Sequence, residues 1–484
     1  MLPVYFLHRF QDPKVTKIAL ICSLVLGGSL MTSLIVRSFY GQSSFYAQTA
    51  SGESSVVKLN GNPILDSEAV NFNIQTSMIQ NANECFPIYL KNVDSIGVMY
   101  LYCSDAAQAK DGDAQVITDL FEAEEGIARR YNFWRRIYSL WGGNQYVMHS
   151  SQWPEVVIEA LDGSNLPATM GPIARSNKIK KVAKTRRAMY KKLLLTMHKN
   201  RNTPERFTES MKRIARKMDH IKNDNKYHVA ALTLRMQKGQ RDFIASGLAR
   251  APKYLSHIHD NFKEIGVPLE ISLLAFVESS FNLNAKSKVG ASGVYQIMPA
   301  TGKQYLKLHS GVDERNDPIK ASRAAAKLLK LNYKILGEWP LAITAYNHGV
   351  GGVRRGVKKT GKTDIAELIE HYDSKSFKFA SKNFYTSFLG ILATIKDADR
   401  IFPQVVQPAP INFEEIKLRH STSIATIRKK HDVSLIQIKE FNPDITKSVI
   451  RNQGNLPKGF VIKIPKEHTN SESDTKPVSL IPNS

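Results

Sequence analysis

At 484 residues the chain is too long for one hydrophobic core, so about two to four domains are expected. Its 67 Lys and Arg outweigh 43 Asp and Glu by a formal charge of +24, which suits an acidic partner (nucleic acid, an anionic membrane face or an anionic wall polymer) or serves solubility alone. Three cysteines exclude a disulfide-stapled scaffold, and no CxxC or His-rich spacing marks a metal site, so no metal or cofactor is expected.

Ile18 to Val36 is an uncharged, mostly apolar run of about 28 Å if helical, enough for a bilayer core. Arg9, Lys14 and Lys17 precede it, which sets residues 1–17 in the cytoplasm and everything after Arg37 outside. The alternative is a cleaved signal segment, although such apolar cores are usually shorter, about 7–15 residues, and no clean A-x-A site follows closely. Cys22 lacks a small residue before it, against a lipoprotein site. Either reading exports the body of the protein and weighs against nucleic acid. Cys85 and Cys103 then meet an oxidising compartment, as one disulfide or two lone thiols.

Ser38 to about Asn60 is rich in Ser, Gly and Gln and reads as a tether, within a span of 37–115 that has no other clear pattern. From Val116 the spacing turns helical, and 116–250 is expected to be an all-helical region. "VAKTRRAMYKKLLLTMHKN" sets Val182, Met189, Leu193 and Met197 on one face and Lys and Arg on the other. The helical pattern continues over 251–402 and stops at "FPQVVQPAP", Phe402–Pro410. Residues 411–465 then read strand, helix, helix, strand, and 466–484 is a polar tail expected to be disordered. The fold class is mainly α.

The chemistry gathers around "FVESSFNLNAKSKVGASGVYQIMPATG". Glu278 follows five apolar residues at the end of an expected helix, Val267 to Ser279, and shares a face with Ile271, Leu274 and Ala275. No Asp or Glu follows until Asp313. A carboxyl set among apolar side chains near a helix C-terminus has its pKa raised, as a general acid requires; a Glu whose head reaches water is the plainer alternative. The next loop supplies Ser287 and Ser292 with two glycines, Gly290 and Gly293. "VYQIMP" alternates as a short extended segment that points Gln296 and Met298 the same way. "WPLAITAYNHGVGGV" carries Tyr346 and Asn347 to a glycine-rich helix stop.

Glu278-Ser279, Ser287, "GASGVYQIMPATG" and "AYNHG" occur in that order at spacings that resemble the lysozyme-like domain of soluble-type lytic transglycosylases. The variant most similar is the membrane-bound lytic murein transglycosylase D type, and the likeness runs from about Phe133 to Phe402, through "FWRRIYSLWGGNQYVMHSSQWPEVVIEALD" and "QKGQRDFIASGLARAPKYLSHIHDNFKEIGVPLE". The resemblance implies cleavage of the N-acetylmuramate–N-acetylglucosamine bond of peptidoglycan with closure of a 1,6-anhydro ring. One Glu, here Glu278, serves as acid and then as base, and the substrate's N-acetyl group takes the part of the second carboxylate used by ordinary glycosidases. It further implies that Ser287 positions the N-acetyl oxygen and that Gln296, Met298, Tyr346 and Asn347 line the saccharide groove. The family's tyrosine beside the catalytic Glu falls in "SKNFYTSFLGIL", where Tyr385 has the chemistry and Phe384 is the neighbouring register. "GVYQ" replaces the usual GLMQ or GLWQ, and His348 stands where a small residue is common, either touching substrate or serving as a satisfied helix-end histidine.

The C-terminal stretch resembles a LysM module, a binder of N-acetylglucosamine-containing glycans, through Asn442-Pro443 and "LPKGFVIKIP". His420, Ser421 and Thr422 replace the expected Gly-Asp-Thr, and about ten additional residues lie between Pro443 and the last strand. The resulting expectation is an envelope enzyme, anchored in the inner membrane with its catalytic part outside and peptidoglycan as partner. The rivals are a goose-type muramidase that uses water, and a wall-binding scaffold without catalysis. A second carboxylate from Asp313 or Asp317 reaching the cleft would favour the hydrolase.

Overall fold

The computed structural model describes backbone over residues 24–26, 30–39, 42–48, 54–58, 85–103 and 110–466, and side chains over 92–101 and 110–466. The expected anchor at 18–36 falls partly outside these residues. Its described pieces, Leu24–Leu26 and Leu30–Phe39, are strands, and Leu24–Lys58 holds four strands paired antiparallel in sequence order, so the helix expected there is not described. Among the described residues no helix is long and apolar enough to cross a membrane. The polar tail beyond 466 also lies outside the described residues.

The chain forms two compact units, Met1–Asp111 with Asn144–Gln237, and Gly112–Gly143 with Lys238–Ser484. The first is not all-helical. Its sheet is antiparallel where registers are resolved, and runs in the order Leu234–Lys238, Gln145–Ser150, Val157–Asp162, Ile96–Cys103, Cys85–Val93. "QYVMHS" and "VIEALD" were legible as apolar runs but too short for periodicity to separate strand from buried helix. The long helix Pro172–Lys199 behaves as its spacing predicts: Val182 and Met197 are buried, Met189 and Leu193 pack beside the core, and lysines face outward. The backbone register sets Cys85 opposite Cys103.

The second unit opens with a small hairpin, Gln115–Val116 and Glu122–Ala123, so the helix expected from Val116 begins only at Glu125. Its helices are α1 (Glu125–Ser139), α2 (Arg241–Leu248), α3 (Pro252–Ile265), α4 (Leu274–Ser279), α5 (Pro299–Tyr305), α6 (Pro318–Leu336), α7 (Trp339–His348), α8 (Val350–Thr360), α9 (Ile365–His371) and α10 (Phe379–Lys396). Helix α10 is apolar nearly all round and buried from Asn383 through Ile395, as a central core helix must be. It meets α1 at Gly390, where a Cβ would stand 2.9 Å from the Arg135 backbone nitrogen, and the buried Trp134 Nε1 donates to Asn383 Oδ1 across the same contact at 3.1 Å. Helix α6 starts at Asp317, whose carboxylate accepts from the Ile319 and Lys320 amides, and stops at Gly337 with φ +82°.

The C-terminal module, in the same unit, follows its expected order. Phe413–Lys417 pairs antiparallel with Val461–Pro465, and helices Ile424–His431 and Leu435–Phe441 lie between, with the short helix Lys447–Ile450 added. Ser434 and Gln437 close a capping box at the second helix, a local signal legible in the sequence.

Candidate active site

The helix expected over 267–279 is split. A 3-10 stretch, Leu269–Leu273, follows Pro268, and regular helix covers only α4. Glu278 lies in the last turn, above the buried Leu274 and Ala275. The chain then turns sharply, because Ser280 (φ +51°) and Phe281 (φ +54°) are both left-handed, an unfavourable conformation for non-glycine residues. Arg250 holds this turn, its Nη2 donating to the Ser280 carbonyl at 2.9 Å and its Nε to that of Phe281 at 3.0 Å. The Phe281 ring is wedged between Tyr254 and Phe276, with centroids at 6.1 and 5.6 Å.

The reversal folds the 282–298 loop back beside α4. Ser279 Oγ donates to the Val294 carbonyl at 2.9 Å and so ties the loop to the residue beside Glu278. Residues 293–296 form a turn, not the extended segment expected, with Gly293 at φ +77° and Gln296 at φ +47°. At Gly293 a Cβ would stand 1.8 Å from the Arg315 carbonyl oxygen, so no side chain fits. Gln296 uses its amide nitrogen internally, donating to the Gly293 and Ala285 carbonyls at 2.8 and 3.1 Å. Ser287 Oγ accepts from the Ala291 amide at 2.9 Å, which leaves the hydroxyl proton available to donate. Met298 is 42% exposed and open to solvent.

Glu278 is half-buried but closely surrounded by protein, as a carboxyl on the floor of a cleft would be. Its carboxylate makes no hydrogen bond or ion pair among the described residues, and burial pushes its pKa from 4.5 up to about 8. No other carboxylate contributes to that shift. Asp313 is held by Arg315 at 2.8 Å, and the buried Asp317 caps α6 and pairs with Lys463, so neither candidate second acid is available to the cleft.

The charge of Glu278 reaches two tyrosines. Tyr346, on α7, donates to the Tyr295 carbonyl at 2.8 Å; its pKa is raised by burial first and then by Glu278. Tyr138, on α1, is raised by burial, opposed by a hydrogen bond to Ser387, and raised further by Glu278. Tyr138 came from the stretch expected to form a separate helical region, and helical spacing alone gave it no functional signal. Tyr385 does not join this group. Its ring packs on Phe388, and its hydroxyl feels Glu124 and Glu122, while Phe384 stacks on Tyr346 with centroids 6.5 Å apart. Of the two registers the sequence left open, Phe384 is the one that packs on Tyr346, and Tyr385, about 100° of helix rotation away, lies on the side of Glu122 and Glu124.

Asn347 is exposed at the end of α7, and Ser381 on α10 donates to its Oδ1 at 3.0 Å. His348 Nδ1 lies 3.2 Å from Ser381 Oγ, and its buried Nε2 has no partner among the described residues. A proton on Nδ1 therefore satisfies the chain, with His348 donating to Ser381, Ser381 to Asn347, and the Asn347 amide nitrogen left as donor toward the exposed side. Burial and Arg355 hold the His348 pKa below its ordinary value. His348 thus sits behind Asn347 at the helix end, where the sequence reading had it either touching substrate or serving as a satisfied helix-end histidine.

Residues 261–369 match the family model described as the transglycosylase SLT domain. Over 239 residues the chain is 28% identical to the membrane-bound lytic murein transglycosylase D of Escherichia coli strain K12, which covers 47% of this chain and 50% of that protein. A putative tributyltin chloride resistance protein of Alteromonas sp. strain M-1 is 36% identical over 111 residues, or 22% of this chain and 54% of that one. The chain thus spans about half the length of these curated relatives. Among solved structures, the 70 kDa soluble lytic transglycosylase of Escherichia coli aligns at 18% identity over 46% of this chain and 45% of that one, with a TM-score of 0.26.

Proposed function

We propose that the protein is a peptidoglycan lytic transglycosylase with Glu278 as its single acid–base group. The observation that carries this reading is a lone carboxyl lifted to about 8 by burial, with no second carboxylate acting on it. Such a group is protonated at neutral pH and can give its proton to the glycosidic oxygen as the C1–O bond breaks. The substrate's N-acetyl oxygen supports the electron-poor carbon meanwhile. The sugar's 6-hydroxyl oxygen then bonds to C1 and its proton returns to the Glu278 carboxylate, which closes the 1,6-anhydro ring without water. The free hydroxyl proton of Ser287 suits an N-acetyl oxygen, and the Asn347 amide, the Gln296 oxygen, Met298 and the Tyr346–Phe384 pair offer a mixed polar and apolar groove to a saccharide.

The same proposal gives the C-terminal module a LysM-like, glycan-binding ancestry, and the segment at 18–36 the part of an envelope anchor that leaves the catalytic part outside the inner membrane. The match to the SLT domain and the likeness to murein enzymes support the substrate class. Mass spectrometry of products from purified peptidoglycan sacculi tests the reaction. The wild type is expected to release 1,6-anhydromuramate ends and Glu278→Gln none; reducing-end muramate would assign a hydrolase, and full activity of the variant would end the proposal.

A further inference from the structure

The sequence of the C-terminal module departs from its expected pattern by about ten additional residues after Pro443, and the structure gives them contacts. Ile445 pairs antiparallel with Val312 of the catalytic part. The Asp313 amide donates to the Asp444 carbonyl at 2.8 Å, the Thr446 amide to the Gly311 carbonyl at 3.1 Å, and Thr446 Oγ1 to the Ser310 carbonyl at 2.9 Å. Val312 is fully buried inside the module's own core, with Ile424, Leu456, Phe460 and Ile462. The hairpin of one part therefore completes the core of the other.

A buried ion pair and a half-buried cluster around Lys320 lock the same seam. Lys463, on the module's last strand, pairs with Asp317, with side chains 3% and 0% exposed. Lys320 reaches Asp444 at 2.7 Å and Glu314 at 3.3 Å. Charges so far from water tolerate only the geometry that pairs them, so they fix register between the parts even where they add little net stability. A mobile arm on a tether has no use for such pairs. At the far end of the seam, Lys253 binds Glu440 at 2.5 Å and the Lys253 carbonyl accepts from the Ile411 amide at 3.0 Å.

The catalytic side of the seam, 313–317, also carries the loop beside Glu278. Asn316 Oδ1 accepts from Ser292 Oγ at 2.7 Å. Arg315 donates to the Gly290 carbonyl at 2.7 Å and to that of Ile297 at 3.2 Å, and its own carbonyl abuts Gly293. The path from Lys463 through Asp317, Asn316 and Ser292 to Ser287 and Gln296 is made of direct contacts and chain neighbours.

We propose that the C-terminal module is a fixed buttress of the active-site loop, with Lys463, Asp444 and Thr446 as positioning residues that hold the 287–297 loop through 313–317. The role in turnover rests on the lytic transglycosylase reading; the docking does not.

The first test inserts a specific-protease site at Val406, which is 83% exposed in the segment joining the two parts, and cuts it in the folded full chain. The module is expected to co-elute with the catalytic part in gel filtration at physiological salt and micromolar concentration. Dissociation on cutting would overturn the proposal. The second test compares wild type, Lys463→Met and Lys463→Met/Asp317→Asn by hydrogen exchange. Asparagine keeps the α6 cap while removing the stranded charge. Lys463→Met should speed exchange at 287–297 by at least about tenfold, and the double variant should recover most of that protection. Acceleration confined to 411–465 would overturn the buttress role. On soluble peptidoglycan strands, Lys463→Met should raise KM by about fivefold with kcat within about twofold, and leave the alkaline limb of the pH profile in place. A change in kcat alone would contradict the assignment. If no anhydro product forms even with the wild type, the functional reading fails while the co-elution and exchange results still decide the docking.

Discussion

Glu278→Gln should stabilise the protein near neutral pH while abolishing its chemistry. In the unfolded chain the carboxyl ionises near 4.5, whereas burial holds it neutral up to about 8 in the fold. The unfolded state therefore releases its proton first, and stability falls as pH rises between those two values. Each pH unit is worth about 1.4 kcal/mol, so the loss approaches roughly 3 kcal/mol at pH 7 and about 5 kcal/mol at pH 8 and above. Because Glu278 keeps part of its surface open to water, these are upper values. Glutamine has the shape of the neutral acid and no charge to desolvate. Thermal melts from pH 4 to 9 should show the variant matching wild type near pH 4 and exceeding it by roughly 5–10 °C at pH 8. A difference that stays constant with pH, or a variant that melts lower at pH 8, would refute the buried-acid reasoning whatever the activity assay shows.

The same shift sets the rate profile: log kcat/KM should be level to about pH 8 and lose about one unit per pH unit above it, whereas an alkaline limb near pH 5 would mean a solvated carboxyl. Ser381→Ala removes the donor to Asn347 Oδ1 and should raise KM about five- to tenfold with kcat retained, and Ser381→Thr should restore it; an unchanged KM would dismiss the orienting chain. Tyr385→Phe should leave activity within about twofold, while Phe384→Ala, which opens a cavity beside the Tyr346 ring, should cost about 3–5 kcal/mol of stability in denaturant titration. The Cα register of Cys85 and Cys103 suits a cross-strand bridge. Alkylation of protein purified from an oxidising compartment should label both only after reduction, and labelling beforehand would exclude the bridge.

How much of this was legible depends on which residues had to be known together. The buried carboxyl of Glu278 could be anticipated from sequence because every cue for it is local: an apolar helix, a carboxyl in the last turn, then a long stretch without another. The module order was legible for the same reason, since period-two and period-3.6 patterns and a capping box need only a few neighbours. The first unit's sheet was not. Its strands are five to nine residues long, pair with partners up to about a hundred positions away, and sit between helical patterns that dominate any local window.

At the site, what local sequence patterns misplaced, left open or passed over depends on a neighbour supplied from elsewhere in the chain. Gln296 and Met298 do not alternate on a strand, because the Arg315 carbonyl presses against Gly293 and selects a turn. Tyr385 faces Glu122 and Glu124 because α1 and its preceding hairpin cover that side of α10, and Tyr138 enters the field of Glu278 from the same α1. His348 is set behind Asn347 by Ser381, more than thirty positions on. A single carboxylate can be recognised by what its neighbours in sequence lack. The residues packed around it can be recognised only when the packing of α1, α7 and α10 is known, because burial is the cause of its raised pKa and burial is made by that packing.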